Sequence, residues 1–176
     1  MSPLVKNDLD HQDERLKGPA LAFYEHVIAL NKVVEKQSAT ATDAEDRQVY
    51  ADYLVHCKTA QNILHKMYPD EVPQPEGGDN FNRPQNIQQV AYALNYFVNE
   101  VHMLEAHLTR PRSVMLTEDT EYRQKRTALY DKGRDFMEAL IASDIHVKDL
   151  EAHGLHALVL TLTHDTKSPW SRGDRR

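Results

Sequence analysis

Between Pro84 and Arg110 the chain reads PQNIQQVAYALNYFVNEVHMLEAHLTR. Apolar residues recur here at alternating steps of three and four, the spacing that places one side of an α-helix against a partner helix. The residues in this register are Ile87, Val90, Leu94, Phe97, Val101, Leu104 and Leu108. The pattern predicts a long helix packed lengthwise against others, and therefore an all-α fold.

The same spacing predicts two helices before this one. The first should begin after Gly18-Pro19, because proline is tolerated in a first helical turn. The second should open with the capping pattern of residues 42–45 and stop at Pro69. The apolar stripe expected on the second helix consists of Tyr50, Tyr53, Cys57, Ala60, Leu64 and Met67.

Two further helices are predicted in the C-terminal half. Pro111 should end the third helix, and residues 113–116 should form a short apolar connector against the end of the bundle. A fourth helix should start at Thr117 or Thr120, and a fifth should run over about 147–164. The apolar run of this fifth helix resembles a strand, but a lone strand cannot satisfy the hydrogen bonds of its backbone groups. The expected architecture is an antiparallel-type bundle of four to five helices.

The connector between the second and third helices, residues 69–85, is unusually long and contains Pro73, Pro75 and Gly77-Gly78. Connections in helical bundles are typically about two to eight residues long. We expect this one to cross over along a whole helix, so that the second and third helices lie parallel. The alternative is an extended arm that a partner grips at its prolines.

The chain divides into three predicted regions: a polar arm at 1–18, the bundle at 19–164 and a tail at 165–176. The tail contains Trp170, the only tryptophan of the chain. Because its indole ring would expose a large apolar area to water, we expect Trp170 to anchor the tail on this chain or on a partner.

Composition excludes several classes of protein. The net charge of −6 disfavours nucleic acid, which requires a dense positive surface. No apolar run approaches a membrane span, so membrane contact is expected only through a partner or the basic tip of the tail. The single cysteine, Cys57, and the absence of a signal-like N-terminus indicate a soluble protein of a reducing intracellular compartment. We expect the cytoplasm, with an organelle matrix as the alternative.

Histidines and carboxylates provide one candidate metal site. His102 and Glu105 lie three residues apart on the third helix, and Asp149, His153 and His156 follow helical spacing on the predicted fifth. If these helices touch, the five residues are suitable ligands for zinc or iron. The alternative is a solvated polar edge without metal, and the spacing matches no established metal signature.

No catalytic or cofactor-binding motif occurs in the chain. Tyr92 and Tyr96 widen the apolar arc of the third helix, which is then either central in the bundle or covered by another chain. We therefore predict a non-catalytic helical subunit or adaptor without a cofactor, which acts through helix-face and tail contacts with protein partners or with itself. A metal-dependent enzyme or sensor is the alternative. A weaker possibility is an apolar ligand pocket lined by Tyr50, Tyr53, Phe97 and Met67.

Overall fold

The computed structural model describes residues 13–75 and 87–142. Within these two ranges the chain forms five helices and no strand, which confirms the predicted all-α fold. The helices are α1 (Asp13–Ala39), α2 (Ala44–Met67), α3 (Ile87–His107), α4 (Arg110–Glu118) and α5 (Thr120–Ala142). The four long helices pack side by side as a bundle, and the short α4 closes one end of it.

Helices α1 and α5 lie antiparallel and share the most extensive contact of the bundle. The ring of Phe23, in the first half of α1, lies 5.9 Å from that of Phe136 in the second half of α5. At the other end, Gln37 Nε2 donates to Asp119 Oδ2 at 3.1 Å. An aromatic contact and a polar contact therefore fix the direction of this pair.

Helices α2 and α3 are also antiparallel, so the expected parallel arrangement of these two helices is wrong. Asp46, in the first turn of α2, binds Thr109 just after α3. The ring of Tyr53 lies 6.3 Å from that of Phe97, near the middle of both helices. The end of α2 and the start of α3 therefore lie at the same end of the bundle, and the course of the connector after Pro75 lies outside the described residues.

The core contains the stripes that the spacing predicts. All of the heptad positions of α3 and all of the predicted stripe of α2 are buried. Phe23 and Phe97 meet edge to face with their ring centroids 6.1 Å apart. A cavity of about 20 Å³ lies beside them between α2 and α3. It is far smaller than the several hundred cubic ångströms of a typical ligand pocket, so the described core has no room there for an apolar ligand.

Helix α1 begins at Asp13, before the predicted start, and contains Pro19 in its interior. Part of the predicted 1–18 arm is therefore helical. Leu16 explains the extension, because it continues the apolar stripe of Ala20 and Phe23 and is fully buried. Burial of a leucine contributes about 1.5–3 kcal/mol, which is comparable with the roughly 3 kcal/mol cost of an interior proline.

The predicted connector at residues 113–116 is instead the centre of α4. Pro111 does not itself end α3, which stops at His107. It occupies an early position of α4, where the N–H that proline lacks would have no helical partner anyway. Leu116 is fully buried against the bundle, whereas Val114 and Met115 are 41% and 56% exposed. The helical turn explains this division, because successive residues of a helix point about 100° apart.

Three predicted regions lie outside the described residues: the fifth helix at 147–164, the tail at 165–176 and the connector after Pro75. None of the helices in the described ranges is both long enough and apolar enough to cross a membrane.

Candidate interaction surface

The outward side of α3 carries two exposed aromatic side chains, and we call this surface, formed by Tyr92 and Tyr96, the tyrosine face. The two residues lie four apart and therefore share one side of the helix. Tyr92 is 45% exposed and Tyr96 is 55% exposed, although the heptad stripe of the same helix is buried. Of the two alternatives left open for this helix, a central position that encloses both rings is therefore wrong.

A histidine of α2 supports the tyrosine face. The rings of His56 and Tyr96 lie 5.4 Å apart at an interplanar angle of 64°. The Nε2 atom of His56 also lies 3.4 Å from Glu100 Oε2, one turn after Tyr96. Val55, the neighbour of His56 in the chain, is 60% exposed, but successive residues of a helix point about 100° apart, so Val55 lies on a different side of α2. The surface thus extends from α3 onto α2 at His56, and this aromatic contact limits the freedom of the Tyr96 ring.

The described half of the metal candidate is not arranged as a metal site. The Oε2 atom of Glu105 accepts from the Tyr122 hydroxyl at 2.8 Å and from Arg126 Nη1 at 2.6 Å. Burial, and then the charge of Glu105, raises the pKa of Tyr122 well above its ordinary value, so this hydroxyl remains a donor. Glu105 therefore joins α3 to α5, whereas His102 is exposed.

No group of three or more potential metal ligands occurs within residues 13–75 and 87–142. The other predicted ligands, Asp149, His153 and His156, lie outside these ranges. The structure therefore places His102 on the surface, engages Glu105 in a polar contact and leaves the remainder of the predicted site untested.

Cys57 has no features of a nucleophile. The thiol is free and buried on the core stripe of α2. Burial raises the pKa of Cys57 to about 12, so the reactive thiolate is scarcely populated at neutral pH. The residue packs as a small apolar side chain, as its position on the stripe predicts.

The start of the connector is attached to the bundle at residues that precede Pro73 and Pro75. Val72 is fully buried, and its carbonyl oxygen lies 2.7 Å from Nδ1 of His65 on α2. Glu71 forms an ion pair with Lys17 of α1. Pro73 is exposed and Pro75 is partly buried. Of the predicted contact residues, these prolines are therefore at the surface, whereas Trp170 lies outside the described residues.

Sequence reasoning identified the two tyrosines but missed His56. No signal in the sequence indicated His56, because its contacts with Tyr96 and Glu100 depend on how α2 and α3 pack.

No protein-family model matches the chain, and neither does any curated protein or solved structure at a significant level. The proposals below are therefore based on the sequence and the geometry alone.

Proposed function

We propose that this chain is a non-catalytic helical subunit or adaptor, which binds another protein chain or a second copy of itself through the tyrosine face. The observation that carries the proposal is the exposure of Tyr92 and Tyr96 on a helix whose opposite side is buried in the core. Tyrosine is enriched at the energetic centres of protein interfaces, because it offers a large and rigid contact area with a polar end.

The supporting geometry favours binding by a preformed surface. The backbone of the tyrosine face belongs to α3, which is held in the bundle along its whole heptad stripe. Binding to a helix that is already ordered does not require its backbone to be fixed again, which removes a cost of association. The pair of His56 with Glu100 then forms the edge of the contact on the α2 side.

Two segments beyond the helices would enlarge the contact. Pro73 and Pro75 stand where the connector leaves the bundle, and we propose that a partner contacts them. We assign Trp170 the same role on the basis of its sequence, as an aromatic anchor in an otherwise polar tail. We place the assembly in a reducing intracellular compartment, because the single cysteine, Cys57, is a buried free thiol.

The test compares two full-length double variants. Tyr92→Ala with Tyr96→Ala removes the tyrosine face, and Val114→Ser with Met115→Ser removes a similarly exposed apolar pair on α4. Self-association is measured by sedimentation over a range of protein concentrations, and partner binding by quantitative recovery of co-purifying chains from cells.

We expect the tyrosine variant to weaken association about 30-fold or more, as loss of about 2 kcal/mol at a hot spot implies. The α4 variant should associate like the wild type, and both should keep the wild-type melting temperature within a few degrees. A tyrosine variant that associates as strongly as the wild type would contradict the proposal.

A further inference from the structure

The outward side of α3 carries a second series of residues at alternating steps of three and four. It lies on the side of the helix opposite the buried heptad stripe, and it includes the tyrosine face. We call this series the outer stripe; it consists of Gln89, Tyr92, Tyr96, Asn99, Met103 and Ala106. Asn99 and Met103 are partly buried, and the other four are exposed. The outer stripe therefore follows most of the length of α3 at the surface of the described bundle.

The outer stripe contains no charged residue, which distinguishes it from the surfaces of the other long helices. Helix α3 has no lysine, arginine or aspartate, and its two glutamates, Glu100 and Glu105, are both partly buried. Each of the other three long helices exposes side chains of both charges. Examples are Lys32 and Glu35 on α1, Arg47 and Asp52 on α2, and Arg123 and Glu138 on α5.

A neutral surface is suited to contact with a second copy of the same chain. Every copy carries a formal net charge of −6, so two copies repel one another wherever charged surfaces meet. In a two-fold symmetric contact the same surface forms both sides, and like charges that face one another weaken binding. Amides, tyrosines, a methionine and an alanine avoid this repulsion. A strongly charged partner, in contrast, would find no complementary charge on the outer stripe.

An antiparallel arrangement of two α3 helices covers the whole outer stripe of each copy. When two such stripes pack in opposite directions along their full length, the first residue of one lies against the last residue of the other. The facing pairs, one member from each copy, are then Gln89 with Ala106, Tyr92 with Met103, and Tyr96 with Asn99. Sulfur beside an aromatic ring is a favourable contact, and the dipoles of antiparallel helices attract.

The size of the outer stripe limits the strength of such a dimer. From Gln89 to Ala106 it is about 26 Å long at the rise of an α-helix, and a helix with its side chains is about 10 Å wide. The contact therefore buries a few hundred Å² of each copy, less than the roughly 800 Å² of a standard interface. We expect a dissociation constant on the order of 10 μM.

We propose that the chain forms a two-fold symmetric dimer in which the outer stripes of two copies pack antiparallel, with Tyr92 of each copy against Met103 of the other. This inference rests on the proposed function, because it identifies the partner of the tyrosine face as a second copy. It adds the direction of the contact and its register, both of which can be tested separately from the tyrosines.

The first test is disulfide trapping in the full chain, with a cysteine placed at either end of the outer stripe. Gln89→Cys and Ala106→Cys chains that carry tags of different size are oxidised separately and as a mixture. We expect the mixture to give at least about fivefold more covalent dimer than either chain alone, because the antiparallel register brings position 89 of one copy to position 106 of the other.

Glu138→Cys, at an exposed position of α5, is the matched control and should give only background crosslinking with either chain. All three substitutions are at exposed positions, so the chains should melt like the wild type. The inference is overturned if the mixture gives no more dimer than this control, or if each chain alone crosslinks as well as the mixture.

The second test uses charge to determine the direction of the helices, with affinities measured by sedimentation equilibrium. Gln89→Lys with Ala106→Glu places opposite charges together in the antiparallel dimer, whereas Gln89→Lys with Ala106→Lys places like charges together. We expect the second variant to dimerise about tenfold more weakly, although its net charge is less negative. A parallel dimer opposes like charges in both variants, so equal affinities would refute the antiparallel contact.

Sedimentation of the wild type separates this inference from the proposed function. A wild type that remains monomeric up to about 1 mM overturns the inference, but the proposed function stands if Tyr92→Ala with Tyr96→Ala loses a co-purifying chain. A wild-type dimer that the tyrosine variant weakens supports both. A dimer that the tyrosine variant leaves at full strength refutes both, because the tyrosines lie in the middle of the proposed contact.

Discussion

Two regions of the bundle use similar polar residues in different ways. We call the end of the bundle closed by α4 the latched end and define it by Thr40, Asp46, Thr109 and Arg112. There the polar groups of different helices and turns bind one another. The Thr109 backbone N–H and hydroxyl donate to Asp46 at 2.8 and 2.7 Å, and Arg112 donates to the Thr40 hydroxyl and carbonyl at 2.8 and 3.0 Å. On the tyrosine face the one described ion pair, between His56 and Glu100, is longer, at 3.4 Å.

This difference distinguishes polar groups that hold the helices together from those at the proposed contact surface. The latched end holds the α1–α2 turn, the start of α2 and the α3–α4 junction together. The tyrosine face belongs to a helix that is secured by its opposite, buried side. Substitutions in the two regions should therefore have different effects on unfolding.

The largest effect on stability should come from Asp46→Ala at the latched end. Asp46 is only 3% exposed, and its loss leaves the two donors of Thr109 unsatisfied. Because hydrogen bonds to a charged group are each worth about 1.5–3 kcal/mol, we expect the free energy of unfolding to fall by about 3 kcal/mol. Chemical denaturation of the full chain measures it.

Asp52→Ala, at an exposed position of the same helix, is the matched control and should change the free energy of unfolding by less than about 0.5 kcal/mol. Equal effects of the two substitutions would show that the contact between Asp46 and Thr109 does not stabilise the fold.

A smaller loss is expected for Glu105→Gln, which tests the contact between α3 and α5. The substitution removes the charge that faces Arg126 and weakens the acceptor of the Tyr122 hydroxyl. Since both side chains of the ion pair are about four-fifths buried, we expect a loss of about 2 kcal/mol in the free energy of unfolding. A metal role for Glu105 predicts instead that the substitution releases a bound metal ion, which elemental analysis would detect.

The smallest effect should come from Glu100→Gln on the tyrosine face. It is the same chemical change on the same helix as Glu105→Gln, but Glu100 meets only the partly exposed His56 in its described ion pair. Isolated accessible pairs contribute about 0–1 kcal/mol, so we expect a loss below about 0.5 kcal/mol, measured by the same denaturation. A loss as large as that of Glu105→Gln would mean that the tyrosine face also supports the fold.

Much of the fold could be predicted from the local spacing of apolar residues, but the candidate surface could be predicted only in part. The core stripe of α2 and the exposed position of Val55 both follow from the angle at which each residue leaves the helix. The start of α1 was not predictable in this way, because the cost of Pro19 is offset by the burial of Leu16 against other helices. The support of Tyr96 by His56 likewise depends on contact between two helices.

The sequence was sufficient to establish that the described ranges are mainly helical and which sides of α2 and α3 are apolar. Both properties repeat within a few residues, so they can be read without knowing what lies opposite. Only the tertiary structure decided that α2 and α3 run antiparallel and that Glu105 binds Tyr122 and Arg126. An apolar stripe does not indicate whether two helices run parallel or antiparallel, and the partner of a polar side chain can be distant in sequence, as the separation of 63 positions from Asp46 to Thr109 illustrates.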